Sequence, residues 1–150
     1  MKTTRLAIAL TLGALAWTSG LRAAEQTKSL YERLGGQPAI QAVASSLVDR
    51  ILADKRVNSW FAHAAGSPQN TAAYKAKLTD FLCQSTQGPC HYTGLDMSAA
   101  HRGRGVTPQA FDAVVEDLVA VLDQLKVPAQ EKNDVLALLG PLKNVIVQSK

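Results

Sequence analysis

The stretch TPQAFDAVVEDLVAVLDQL, residues 107–125, decides the fold class. Threonine followed by proline marks a helix start, because Thr107 caps with its hydroxyl and Pro108 fits the first turn. Phe111, Val114, Val115, Leu118, Leu122 and Leu125 then recur at spacings of three and four, which gives one apolar face on a helix. Period-two runs of β-branched residues are absent, so the chain reads as all-α.

The same reading extends outward. Downstream, Pro128 opens a last helix with Val135, Leu136, Leu139, Leu142 and Ile146 facing inward, and Pro141 should kink it. Upstream, a short helix over 29–34 stops at Gly35-Gly36, and Pro38 starts the next helix, with Ile40, Val43, Leu47, Ile51 and Leu52 on its inner side as far as Asp54. Residues 56–62 form a corner carrying Trp60 and Phe61, 66–70 a loop, and 71–85 a helix with Tyr74, Leu78, Phe81 and Leu82 inward and Lys77 beside them. The segment 87–97 is irregular, and a brief helix carrying Met97 and His101 ends at Gly103 and Gly105.

A length of 150 residues suits one domain, and 47% hydrophobic with 19% charged residues excludes a disordered chain. With only 5% aromatic residues, aliphatic side chains and alanine must build most of the core. The formal charge of +4 is misleading, since Lys2, Arg5 and Arg22 lie in a segment that reads as a secretory leader. A basic start is followed by an uncharged run over 6–17 and small residues up to Ala23 and Ala24. The run falls short of the roughly 20 apolar residues that span a bilayer. Residues 1–24 are expected to be cleaved as a signal peptide, leaving a domain over 25–150 in an exported location, the bacterial periplasm; an uncleaved membrane anchor is the other reading. Without the leader the domain is nearly neutral, which removes the argument for a nucleic-acid partner or stable membrane insertion.

Cys83 and Cys90 are the only cysteines. In an oxidising compartment the turn at Gly88-Pro89 allows them to pair; otherwise they are two free thiols. The three histidines, His63, His91 and His101, lack metalloprotease or zinc spacing, and there is no Gly-rich phosphate loop or Ser nucleophile elbow. His101 differs from the other two in its setting. Ala99 and Ala100 leave room beside its ring, Met97 lies one turn earlier, and glycines follow. A neutral imidazole there is a good iron ligand when a carbonyl orients its other ring nitrogen.

Several segments together resemble group I truncated hemoglobins. Ser29-Leu30-Tyr31-Glu32-Arg33-Leu34-Gly35-Gly36 with Ala39-Ile40 is similar to their opening. Phe81-Leu82-Cys83, Gly88-Pro89 and Tyr92-Thr93-Gly94 are similar to the end of their E helix and the loop after it. Ala100-His101-Arg102-Gly103-Arg104-Gly105-Val106 resembles their proximal segment, and Val127-Pro128 and Leu139-Gly140-Pro141-Leu142 their last helix. The order and spacing of these motifs carry the resemblance over residues 29–147.

The resemblance implies a two-over-two helical sandwich around heme b, binding oxygen, carbon monoxide or nitric oxide. It makes His101 the proximal iron ligand. Phe61 matches a heme-face phenylalanine, and Val106, Phe111, Val114 and Leu139 fall among the cofactor-binding positions, mostly as apolar wall. Lys77 and Tyr92 match positions that reach the heme propionates, as suits a cation and a phenol near carboxylates.

On the distal side the chain departs from the family. A helix-B tyrosine that donates to bound oxygen is replaced by Val48, and a polar helix-E position by Leu78; neither side chain can donate. Tyr74, one turn before Leu78, takes the distal gate position and is the candidate donor. Lys77 is a second candidate as a sixth iron ligand, if desolvation lowers its pKa. A ligand-binding globin is the leading reading. The others are a nitric oxide dioxygenase or weak peroxidase served by a reductase, a six-coordinate redox heme protein with its own electron donor, and a heme-free interaction domain.

Overall fold

A computed structural model describes residues 28–148. The leader assignment and its cleavage site therefore lie outside the described residues. Among the described residues there is no strand, and no helix is long and apolar enough to cross a membrane.

Helix α1 (Leu30–Leu34) is held by a capping box: Glu32 N donates to Ser29 Oγ at 3.2 Å, and Ser29 N to the Glu32 carboxylate at 2.8 Å. Gly35 ends it with φ 108°, a left-handed conformation that costs a glycine little. Helix α2 (Gly36–Ala53) starts at once, buries Ile40, Val43, Leu47, Val48 and Ile51, and ends at Asp54 as expected. A 3₁₀ turn (Asn58–Phe61) carries Trp60 and Phe61 and leads into the short α3 (Ala62–Ala65).

Helix α4 (Pro68–Ser85) begins three residues before the expected start at 71. Ser67 accepts from Asn70 N and Pro68 occupies the first turn, so the expected loop over 66–70 shrinks to Gly66 and Ser67. Helix α5 (Met97–His101) is capped by Asp96, and α6 (Pro108–Gln124) by Thr107. Helix α7 (Ala129–Leu139) passes through a 3₁₀ turn (Gly140–Leu142) into α8 (Lys143–Ile146), so Pro141 sits where the last helix breaks.

Helix α2 packs on both α4 and α6, α6 packs on α7 and α8, and α5 rests against α8. This gives two helix pairs, α2 with α4 and α6 with the α7–α8 unit, joined through α2. Aliphatic side chains fill the core that α2 and α6 share, with Leu47, Ile51, Leu118, Val121 and Leu122 all buried. Arg33 ties α1 to α7 through Glu131 at 2.8 Å and Asp134 at 2.5 Å.

One face differs from the expected stripe. Leu125 is 37% exposed, while Asp117, one turn before Val121, is only 3% exposed. The helix is rotated so that Ala110, Ala113, Asp117 and Val121 point inward.

Cys83 and Cys90 are joined in a disulfide in this structure. The bridge closes the turn at Gly88, whose amide donates to Cys83 O at 2.7 Å. A Cβ on Gly88 would stand 2.5 Å from the Tyr31 ring and 2.6 Å from Cys83 Sγ, so only glycine fits.

Candidate functional site

His101 is the last residue of α5, one turn after Met97. Its Nδ1 is 2.7 Å from the Met97 carbonyl oxygen. A carbonyl can only accept, so Nδ1 carries the proton and donates, and Nε2 keeps its lone pair. The ring is fixed in orientation and tautomer by one backbone contact. That arrangement prepares a neutral imidazole for a metal.

Several large apolar side chains of the fold are unevenly covered. Phe61, Leu78, Phe81, Met97, Phe111, Val114 and Leu139 pack against the core yet stay only partly buried. They come from the 3₁₀ corner, α4, α5, α6 and α7, so five elements present large apolar surface without completing its burial. Val106 is instead fully inside the core, and its carbonyl accepts from Gln148 N at 3.1 Å. Val48 is completely buried on α2.

Tyr74 stands on α4 with its ring 5.8 Å from that of Phe61. Burial, reinforced by nearby Tyr92 and opposed by Arg104, pushes its phenol up to about 12. Phe61 and Tyr74 are thus brought together. Tyr92 meets Phe81 edge-on at 5.4 Å, and its hydroxyl donates to Leu95 O at 3.0 Å. Burial, and secondarily Asp96, raises its pKa. Lys77 is exposed on α4, as are His63 and His91 outside it.

Sequence reasoning missed two features. Trp60 Nε1 donates to Arg104 O at 3.1 Å, linking the 3₁₀ corner to the segment after His101. Arg50 Nε donates to the buried Asp117 at 2.8 Å, linking α2 to α6. The polar residue at 117 within an apolar stripe was the only available signal for the second.

The donor set fits heme. One imidazole offers a free Nε2, and partly covered aromatic and aliphatic side chains from several elements suit a flat apolar macrocycle. The sequence pattern of the bacterial-like globins matches residues 29–148. The chain belongs to that family. Within it, this globin is 32% identical over 114 residues to a group 1 truncated hemoglobin of Mycolicibacterium paratuberculosis, covering 76% of this chain and 80% of that protein. It is 36% identical over 100 residues to a group 1 truncated hemoglobin of Tetrahymena pyriformis, covering 67% and 78%. The crystal structure of the Tetrahymena pyriformis truncated hemoglobin in its Fe(III) form superposes with a TM-score of 0.72 at 30% identity, over 81% of this globin and 100% of that chain. The 2/2 hemoglobin of Synechococcus sp. PCC 7002, in the cyanomet state with covalently attached heme, gives 0.71 at 31% identity, over 80% and 98%. The two helix pairs described above are the two-over-two sandwich of truncated globins.

Proposed function

We propose that His101 is the proximal ligand of a heme iron and that the corner and α4 line the opposite, ligand-binding side. The chain is a heme globin that binds diatomic ligands. The observation that carries the assignment of His101 is the 2.7 Å contact between its Nδ1 and Met97 O, which leaves Nε2 as the donor. When bound, heme supplies an iron that coordinates oxygen, carbon monoxide or nitric oxide.

The chain's own residues then do three things. The Met97 carbonyl holds the imidazole in one tautomer and one orientation. Phe61, Leu78, Phe111, Val114 and Leu139 cover the macrocycle and keep water away. Lys77, exposed on α4, would pair with a carboxylate at its edge, whereas Tyr92 would have to give up its bond to Leu95 O to reach one.

Val48 and Leu78 offer no hydrogen-bond donor to a ligand. Tyr74 is the donor in their place. Its phenol stays protonated up to about 12, so it donates across the whole physiological range. The folded state favours the neutral phenol. This contribution is complete below the ordinary value of 10.0 and is lost as pH rises through about 12. Tyr74→Phe is expected to raise the oxygen dissociation rate about two- to tenfold, equivalent to roughly 0.5–1.5 kcal/mol. Stopped-flow measurement checks this, and an unchanged rate returns Tyr74 to packing against Phe61 alone.

The proposal includes export. The basic, apolar and small-residue pattern over 1–24 supports it, and the Cys83–Cys90 bridge suits an oxidising compartment. A reductase matters only for turnover chemistry, which the loss of donors at 48 and 78 disfavours.

Absorption spectra of the purified protein in ferric, ferrous and carbonyl states test the central reading. A Soret band that shifts on reduction and on carbon monoxide addition is expected. Heme reconstitution that yields no Soret band would sink it.

A further inference from the structure

Helix α5 carries His101 but does little to hold itself in place. It has five residues, and none of them is fully buried. Isolated helices this short are unstable in water. The contact from His101 Nδ1 to Met97 O lies within the same helix, so it sets the ring relative to α5 and not relative to the domain. Contacts from other elements must locate the helix.

The chain after His101 is soft by itself. Gly103 and Gly105 take left-handed backbone, with φ 74° and 63°, and open space lies where a Cβ would stand on either. Arg104, between them, is fastened to α5 twice. Its amide donates to His101 O at 3.1 Å, and its Nε to Ala100 O at 2.7 Å. Its carbonyl accepts from Trp60 Nε1 at 3.1 Å. Arg104 therefore ties the helix end that bears the histidine to the indole of the 3₁₀ corner. On the other flank Gly105 N donates to Gln148 Oε1 at 3.2 Å, and Gln148 N to Val106 O at 3.1 Å.

The two holders differ in what stands behind them. Gln148 follows α8, a helix of only four residues. Trp60 sits on a corner fastened to the end of α2. Val57 N and Asn58 N donate to Asp54 O at 3.1 and 2.9 Å, Trp60 N donates to Val57 O at 3.0 Å, and Val57 is completely buried. The Trp60 ring is half-buried and walls an open cleft of about 380 Å³ with Arg56, Thr107 and Ala110. Packing thus leaves part of the ring uncovered, and the N–H bond to Arg104 O is its directed contact.

We propose that Trp60 is a positioning residue for His101: its indole N–H, through Arg104, holds α5 at a set place and so fixes how the imidazole meets the heme iron. The inference rests on the reading of His101 as the iron ligand. The next residue, Phe61, meets Tyr74, so one 3₁₀ turn carries a residue for each side of the macrocycle. Losing one hydrogen bond of this kind shifts a local opening equilibrium by about two- to tenfold. The loss should reach the ring, because Arg104 is bonded to the last two residues of α5.

The experiment compares the heme-loaded wild type with Trp60→Phe and with a protein carrying benzothienylalanine at position 60. The latter keeps the shape of the indole and replaces its N–H by sulfur. Resonance Raman of the unliganded ferrous form reads the iron–histidine stretch, and amide exchange at Arg104 and Gly105 is followed in the ferrous carbonyl form. The band is expected in wild type and absent in His101→Gly. In both replacements at 60 it should shift and broaden, because the ring takes more than one orientation, and both amides should exchange about two- to tenfold faster. A role in stability alone would lower the urea midpoint without moving the band. If either the band or the amides match wild type in both replacements, Trp60 only packs at the corner and the proposal is wrong. A band that outlives His101→Gly fails the ligand assignment instead, and takes the role of Trp60 toward iron with it.

Discussion

Replacing His101 with glycine is expected to weaken heme retention by more than about 100-fold, because altering only the outer partners of a metal ligand already costs about 10–100-fold. His101 is the one histidine on α5; His63 and His91 are exposed and lie outside it. Its Nδ1 is spent on Met97 O, so Nε2 is the nitrogen available to iron. Removing the ring removes the ligand but leaves the helix short of only its last residue, capped as before by Asp96 through Ala99 N at 2.9 Å. Added imidazole should therefore refill the space and restore the wild-type spectrum. Transfer of heme to an apo-acceptor protein measures retention, and absorption with and without imidazole measures rescue. A variant that keeps both the native spectrum and native retention places the iron ligand elsewhere.

The proximal side was legible in the sequence because it is local. Asp96, Met97, His101 and the glycines after them lie within one short segment, and the order of motifs around it gives the histidine its context. The start of α6 was legible for the same reason, since Thr107 and Pro108 supply cap and first turn side by side. Ser67-Pro68 carries the same signal for α4 but stands between Gly66 and Asn70, residues that also build loops, so the local pattern points to a later start. The interior between α2 and α6 was not legible. Asp117 meets Arg50 across 67 residues of sequence, and a helical stripe read alone assigns Leu125 to the core in preference to a carboxylate. Pairing between distant charges is set by helix packing, which periodicity does not encode.

Breaking the disulfide is expected to lower folding stability by roughly 2–3 kcal/mol. The bridge spans a sequence separation of 7, so the entropy it removes from the unfolded chain is near the lower end for such links. The folded side adds a positional effect. Cys83 is completely buried in the last turn of α4, and the bridge holds Cys90 beside it. From there Tyr92 N donates to Gln84 Oε1 at 2.7 Å, the Tyr92 ring meets Phe81, and the chain continues to Asp96 and the helix that carries His101. The bridge therefore anchors the loop that joins the distal helix to the proximal one. Urea unfolding of wild type, wild type with a dithiol reductant, and Cys90→Ser checks this. The reductant and the substitution should lower the midpoint equally, and heme release should quicken in both, because both free the same loop. If the reductant leaves wild type unchanged while Cys90→Ser is destabilised, the bridge is either inaccessible or unformed; a thiol count in denaturant separates the two, and two free thiols would overturn the bridge itself.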